Sequence, residues 1–218
     1  MIKFLNDIRN AENSISTNRK IINTIALLFL GIALGIFSKY MDFHQAELPS
    51  MLMALDGAFD ISNFLGRFAI WVLIALCISI YSNSAIRASV NVFVFFVGMV
   101  SSYYLYSNYI AGFFPKSYAM IWFGFTAVSP LLAFMCWYAR SKSKQAFMLS
   151  ALILAVLLNM CFTFGFWYFS AWSVLEVIVF IIGIIVLRRD TLRGSLLMVT
   201  FSIVLAFLFN IIIPFPFG

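Results

Sequence analysis

Charged side chains are scarce in this sequence of 218 residues, which has 10% Asp, Glu, Lys and Arg and 64% hydrophobic residues. A soluble domain carries about 25% charged residues, because its surface must stay hydrated. The shortage excludes an ordinary water-soluble fold, a disordered chain and a disulfide scaffold. With a mean hydropathy of +1.03, the chain has the lipid bilayer as its expected solvent.

Residues that support common enzyme chemistries are also missing. His44 is the single histidine, and Cys77, Cys136 and Cys161 lie in apolar runs without CxxC spacing. These facts exclude an HExxH metalloprotease and a bis-histidine haem site, and they predict neither a metal nor a cofactor. No Walker A motif and no GxSxG motif occur, so the chain itself is not expected to hydrolyse ATP. An enzyme is therefore the less favoured class.

Seven apolar runs approach the length of about 20 residues that a transmembrane helix needs. Charged turns, glycines and prolines separate most of them. The sequence therefore predicts an all-α, polytopic bundle of about seven transmembrane helices in a single domain over residues 21–213. The predicted spans are residues 21–38, 64–81, 88–107, 118–138, 145–164, 173–187 and 194–213.

Three segments fall outside these spans. Residues 1–20 are polar and predict a cytoplasmic N-terminal segment. Residues 39–63 predict an outer loop, in which residues 49–60 have helical periodicity but are too few to cross a bilayer, so an interfacial helix is expected. Residues 214–218 predict a short outer tail that begins with a proline.

The distribution of basic residues predicts the orientation of the bundle. Eleven of the 14 Lys and Arg residues fall on the N-terminal side of the predicted spans, and Lys39, Arg67 and Lys116 fall on the other side. By the positive-inside rule, the N-terminus is cytoplasmic and the C-terminus is outside. Because the basic residues form short turns and no long tract, they favour contact with anionic lipid headgroups and not with nucleic acid.

Small and polar residues inside the spans predict helix contacts. Gly31 and Gly35 form a GxxxG pattern, which lets two helix backbones approach closely in lipid; a dimer face is an alternative use of the same pattern. Asn91 and Asn159 are expected to make hydrogen bonds between helices.

Glu176 is the one ionisable residue that lies well inside a predicted span. An intramembrane charge is costly and usually faces the bundle interior, where it carries function. Arg67 and Lys116 lie at the same predicted side, and either can supply a cation for it. With Tyr103 from the neighbouring tyrosine-rich stretch, these residues predict an outward-facing, substrate-binding polar pocket. The alternatives are a structural ion pair or a glutamate that reaches the interface, and for the tyrosines an aromatic belt.

The outer loop carries a second group of polar residues. Asp42, His44, Glu47, Asp56 and Asp60 offer oxygen ligands for a divalent cation. Their spacing matches no known metal motif, so the favoured interpretation is a solvated acidic loop.

Several short blocks in the middle of the chain form a recognisable set. They are FAIW (68–71), YS (81–82), RASVNVF (87–93), FFVGM (95–99), SYYLY (102–106), AGFFPKSY (111–118), CWYA (136–139) and GFWY (165–168). Together they resemble an uncharacterised family of multi-pass integral membrane proteins from clostridia-like bacteria. The resemblance implies a protein of the bacterial cytoplasmic membrane, and it implies no activity and no site residues.

The function expected from these features is that of a small transport or substrate-binding membrane subunit. Its partners would be the lipid bilayer and other membrane subunits or an ATPase, and not nucleic acid. A structural or regulatory membrane protein, such as an immunity or assembly factor, is the alternative. A lipid-modifying enzyme is a third possibility, which would need acid and base groups at one membrane face, where only the outer carboxylates qualify.

Overall fold

Helices account for almost all of the chain in the computed structural model, which describes Arg9 and residues 16–45 and 47–212. The predicted outer tail, residues 214–218, and most of the predicted N-terminal segment lie outside the described residues. The described helices are α1 (Thr17–Phe43), α2 (Ser50–Phe59), α3 (Ile61–Gly66), α4 (Phe68–Ile80), α5 (Ala85–Tyr109), α6 (Lys116–Trp137), α7 (Lys144–Cys161), α8 (Val174–Leu187) and α9 (Leu192–Ile212).

Five of these helices are long and apolar enough to cross a membrane, within the residues that the structure describes: α1, α5, α6 with the 3-10 turn that follows it, α7 and α9. The predicted second and sixth spans form shorter helices, α4 with 13 residues and α8 with 14. At 1.5 Å per residue each is about 20 Å long, against a hydrocarbon core of about 30 Å. Both short helices begin at polar residues, and these form the site described below.

Two boundaries differ from the sequence prediction. Helix α1 begins at Thr17 and continues to Phe43, so it includes residues assigned to the N-terminal segment and to the outer loop. The aromatic stretch between the predicted fifth and sixth spans forms a two-stranded antiparallel hairpin of β1 (Phe162–Phe164) and β2 (Phe169–Ala171), so that β1 takes the last residues of the predicted fifth span. Its tip exposes large aromatic rings, including that of Trp167, which is 97% exposed.

Helix α4 is the centre of the bundle. It packs against α5 and α6 on one side and against α7 and α8 on the other, and α1 and α9 lie outside these neighbours. Its sequence is apolar around its whole circumference, which is typical of a helix that is buried on every side. Trp71 near its start and Ile80 at its end are both buried. The contacts of α4 therefore join the two halves of the molecule.

Glycines bring α1 and α5 into backbone contact. A Cβ atom at Gly31 would lie 2.2 Å from the Phe95 carbonyl oxygen, and one at Gly35 would lie 2.2 Å from that of Met99. Gly98 of α5 is packed in the same way against Leu28 of α1. The predicted close helix contact through the GxxxG pattern is therefore confirmed, and its partner is a helix of the same chain.

Polar residues form hydrogen bonds where helix ends meet near the start of α1. Arg87 donates to the Thr24 hydroxyl and to the Asn91 side-chain oxygen, at 2.5 and 3.1 Å. Trp137 donates from its indole to the Ser82 carbonyl at 2.6 Å. Farther along the chain, Asn159 donates to the Ala206 carbonyl of α9 at 3.2 Å. The Thr24 hydroxyl of α1 donates to the Asn91 side-chain oxygen of α5 at 3.0 Å. Asn91 and Asn159 thus both make the predicted hydrogen bonds between helices.

We predict that Gly31→Ala destabilises the bundle by about 2 kcal/mol, because overpacking against a backbone carbonyl forces α1 and α5 apart. Thermal unfolding of the purified protein in detergent measures the change. Gly124→Ala in α6 is the matched control, since a Cβ there meets no atom within 4 Å. Equal melting temperatures for the two variants would contradict the close contact.

Candidate polar site at the start of two short helices

Glu176 lies in the first turn of α8 and is completely buried, with 0% of its surface exposed. Ser173 is the N-cap of this helix, and its side chain accepts a hydrogen bond from the Leu175 backbone N–H at 3.2 Å. The Ser173 hydroxyl also donates to Oε2 of Glu176. The sequence Ser-x-x-Glu is the pattern of a helix capping box, so local helix chemistry explains why a glutamate occurs at this position.

Arg67 supplies the charge that balances Glu176. It is the N-cap of α4, and its Nη1 lies 2.5 Å from Oε1 of Glu176. The Arg67 side chain is only 15% exposed, and its guanidinium also lies over the Trp172 ring at 5.3 Å from the centroid. A planar guanidinium can pair with a carboxylate and stack on an aromatic ring at once, which an ammonium does less well. Both oxygens of Glu176 are therefore occupied.

A second carboxylate continues this ion pair toward the exposed surface. Nη2 of Arg67 lies 3.1 Å from Oδ2 of Asp60, whose side chain is partly exposed. Asp60 joins α2 to α3 in a left-handed backbone conformation, with φ of 57°, which aspartate adopts more readily than most residues. Asn63 donates to its other oxygen at 2.6 Å. One guanidinium thus connects a buried and a partly exposed carboxylate.

Tyr103 lies in a neighbouring cluster on α5. The ammonium group of Lys39 lies 5.4 Å from its ring centroid, and Lys39 itself is buried and paired with Asp42. Tyr103 and Gly66, the residue before Arg67, line the same cavity of about 20 Å³. This volume is about that of one water molecule. Tyr103 is therefore near the ion pair without contacting it.

Lys116 is not part of this arrangement. It is the first residue of α6, it is exposed, and it forms no ion pair with any residue that the structure describes. Of the two cations considered for Glu176, Arg67 is the one that contacts it.

The three aspartates of the outer loop have separate partners. Asp42 pairs with Lys39, Asp60 with Arg67, and Asp56 accepts a hydrogen bond from the Ser62 backbone N–H at 2.7 Å. His44 lies 3.4 Å from the Tyr106 hydroxyl. In the described ranges, no three His, Cys, Asp or Glu side chains form a group that could hold a metal ion.

Three residues of the site were missed in the sequence. Asp60 was assigned to a solvated loop, and Trp172 and Ser173 to the boundary of a span. The Ser-x-x-Glu pattern at 173–176 was a signal for the capping serine, because it is readable without a structure. The contact between Arg67 and Trp172 joins residues far apart in the chain, and no local pattern indicates it.

Comparison with known proteins adds nothing to this description: no family model, curated protein or solved structure matches the chain.

We predict that Glu176→Gln lowers the stability of the protein by about 3 kcal/mol, because it breaks a buried ion pair and leaves the guanidinium of Arg67 with only the partly exposed Asp60. Thermal unfolding in detergent, followed by tryptophan fluorescence, measures the shift. Glu47→Gln is the matched control, since Glu47 is exposed, and surface substitutions usually change stability by less than about 0.5 kcal/mol. Indistinguishable melting curves for the two variants would show that the ion pair carries no stability.

Proposed function

We propose that the protein is a non-catalytic membrane subunit that binds or transports a small polar substrate, with an outward-facing pocket at Glu176, Arg67, Tyr103 and Lys116. The observation that carries the proposal is the completely buried Glu176, held by Arg67 where two short helices begin. Charged groups within a membrane are expensive, and a buried one is a candidate for a substrate or ion pathway.

The lengths of the helices support a pocket below the outer surface. In this proposal the chain crosses the bilayer seven times, with α4 and α8 as the second and sixth spans. Because α4 extends about 20 Å from its inner end, Arg67 would lie roughly 10 Å below the outer edge of the hydrocarbon core. Helix α3 and the β1–β2 hairpin precede the two short helices and would cover this depression.

The chemistry of the ion pair indicates the kind of substrate. Arg67 faces two carboxylates, so a substrate with a carboxylate or phosphate competes with Glu176 for the guanidinium, and one with an amine competes with Arg67. Tyr103 lines the small cavity beside Gly66, and Lys39 lies next to the Tyr103 ring. They offer a hydroxyl and a further cation. In this account Lys116 contacts a substrate only as it enters.

The lack of an ATP-binding motif supports partners. The sequence contains no Walker A motif, so energy from ATP would have to come from another chain. We therefore propose that it works in a bacterial cytoplasmic membrane with other membrane subunits or an ATPase. Affinity purification from native membranes in a mild detergent, followed by mass spectrometry, identifies such partners.

A structural or regulatory role is the second candidate, and one observation favours it. Both oxygens of Glu176 have partners, and the adjoining cavity is only about 20 Å³. An ion pair of this kind fixes the relative position of α4 and α8 whether or not a substrate binds.

The orientation can be tested with single cysteines on a background in which Cys77, Cys136 and Cys161 are replaced by alanine. We predict that Asn108→Cys, in the last turn of α5, reacts with a membrane-impermeant maleimide in intact cells. Lys142→Cys, in the turn before α7, should react only after the cells are opened. Both positions are exposed, so accessibility within the protein is not limiting. The reverse labelling pattern would contradict a cytoplasmic N-terminus.

A variant that lacks both charges can distinguish a substrate-binding pocket from a purely structural ion pair. We predict that the double variant Arg67→Met/Glu176→Leu is more stable than Glu176→Gln, because apolar residues can replace a buried ion pair at little cost. The melting temperature of the wild type is then measured with candidate ligands added, to find any that raise it. The candidates are amino acids, organic acids, sugars and phosphorylated metabolites.

A ligand at 100 times its Kd stabilises a protein by about 2.7 kcal/mol, so a binder is readily detected. The folded double variant should lose this stabilisation while it keeps its membrane partners. If it responds to the same ligand as the wild type, or if no class of ligand stabilises the wild type, the ion pair is structural and the pocket hypothesis fails.

A further inference from the structure

An apolar groove separates α6 from α7, away from the polar site. The two helices contact each other chiefly through the turn that joins them, residues 138–143, and α4 and α5 form the floor between them. The groove has a cavity of about 210 Å³, ten times that beside Tyr103. Its open side is bordered by Leu132, Met135 and Leu152, which are exposed on the outside of the bundle.

The groove has the dimensions and lining of a site for a hydrocarbon chain. It extends along α6 from Phe125 to Cys136, which is about 16 Å at 1.5 Å per residue. This is half the thickness of the hydrocarbon core, and therefore the depth of one leaflet. Ser79 and Ser129 are hydroxyl-bearing residues of an otherwise apolar lining, and the Ser129 hydroxyl already donates to the Thr126 carbonyl. An apolar cavity of about 150 Å³ is known to stay dry and take up hydrocarbon.

Pro130 explains part of this shape. It lies inside α6, has no backbone N–H and cannot donate to the Thr126 carbonyl, which Ser129 satisfies instead. The Pro130 carbonyl in turn accepts from Ser89 of α5 at 2.8 Å. This hydrogen bond holds α6 against α5 at the proline. The turn of α6 that follows the proline lines the groove and does not pack against α7.

One end of the groove meets a basic turn. Ser79 and Cys136 line the groove. Tyr81 comes directly after α4, and Arg140 lies in the turn after α6. The Arg140 guanidinium lies 5.0 Å from the Tyr81 ring centroid, and both residues are exposed. Lys142 in the same turn pairs with Asp190, whereas Arg140 and Lys144 form no ion pair with the described part of the chain. Within the part of the chain that the structure describes, Arg140 and Lys144 therefore bring two positive charges without an acidic partner to the mouth of the groove.

We propose that this groove binds one acyl chain of an anionic glycerophospholipid, with its phosphate headgroup on Arg140 and Lys144. The apolar cavity selects the hydrocarbon chain and the basic turn selects the charge, so the two parts of one lipid match the two parts of the site. Basic residues between helix ends at a membrane surface are a recurrent recognition site for such headgroups. The proposal does not depend on the function of the Arg67–Glu176 pair, nor on which side of the membrane holds Arg140.

Competition between two lipids with identical acyl chains tests the proposal. The purified protein in a mild detergent is mixed with equal amounts of phosphatidylglycerol and phosphatidylcholine, and native mass spectrometry counts the bound lipids. We expect the wild type to retain phosphatidylglycerol preferentially. Arg140→Gln should reduce that preference roughly fivefold, the effect of one basic residue at a membrane surface. Arg140→Lys should keep most of it, and Arg193→Gln, an exposed arginine on α9, should leave it unchanged.

A second pair of variants tests the groove itself. Leu132→Trp fills the cavity from its open side and should reduce the binding of both lipids, whereas Leu131→Trp, on the same helix but outside the lining, should not. Equal retention of the two lipids by the wild type would overturn the charge selection. Unchanged binding in Leu132→Trp would overturn the acyl-chain site, and so would a wild type that retains no lipid.

Discussion

The ion pair between Arg67 and Glu176 is the interaction on which the arrangement of the bundle depends. A buried carboxylate is costly in apolar surroundings, so the partner that neutralises it must be held in place. Arg67 begins α4, which is the central helix, and Glu176 lies in the first turn of α8. Their contact at 2.5 Å ties these two short helices together at one level, and the hairpin, Trp172 and Asp60 pack around that contact.

In the rest of the molecule, too, buried polar groups have specific hydrogen-bond or ion-pair partners. At the opposite end, Arg87, Thr24 and Asn91 satisfy one another, and at the GxxxG surface the backbones of α1 and α5 meet without large side chains. The groove between α6 and α7 is the exception, because its walls are separated and, among the described residues, Arg140 and Lys144 at its mouth have no acidic partner. In our proposal, the headgroup of an anionic lipid pairs with these two residues.

The sequence predicted the helical architecture because composition and apolar run length are local properties. It also indicated Glu176 and Arg67, since a charge inside an apolar run is conspicuous. It did not predict that α4 begins only at Phe68, because Phe64 and Leu65 before it are apolar and extend the hydropathy signal. The sixth span, predicted over residues 173–187, already had nearly the length of α8. The pairing of Arg67 and not Lys116 with Glu176, the stacking on Trp172 and the width of the groove depend on how distant helices pack, which no local pattern specifies.

The most direct test of this account is a distance measurement in a lipid bilayer. Solid-state NMR on protein labelled with ¹³C at the glutamate carboxyl and ¹⁵N at the arginine guanidinium detects a carbon–nitrogen pair within about 4 Å, the range of a charge-assisted hydrogen bond. The account predicts one strong Glu–Arg contact that disappears in Glu176→Gln. A bilayer spectrum with no such contact would contradict the ion pair as the interaction that organises the bundle.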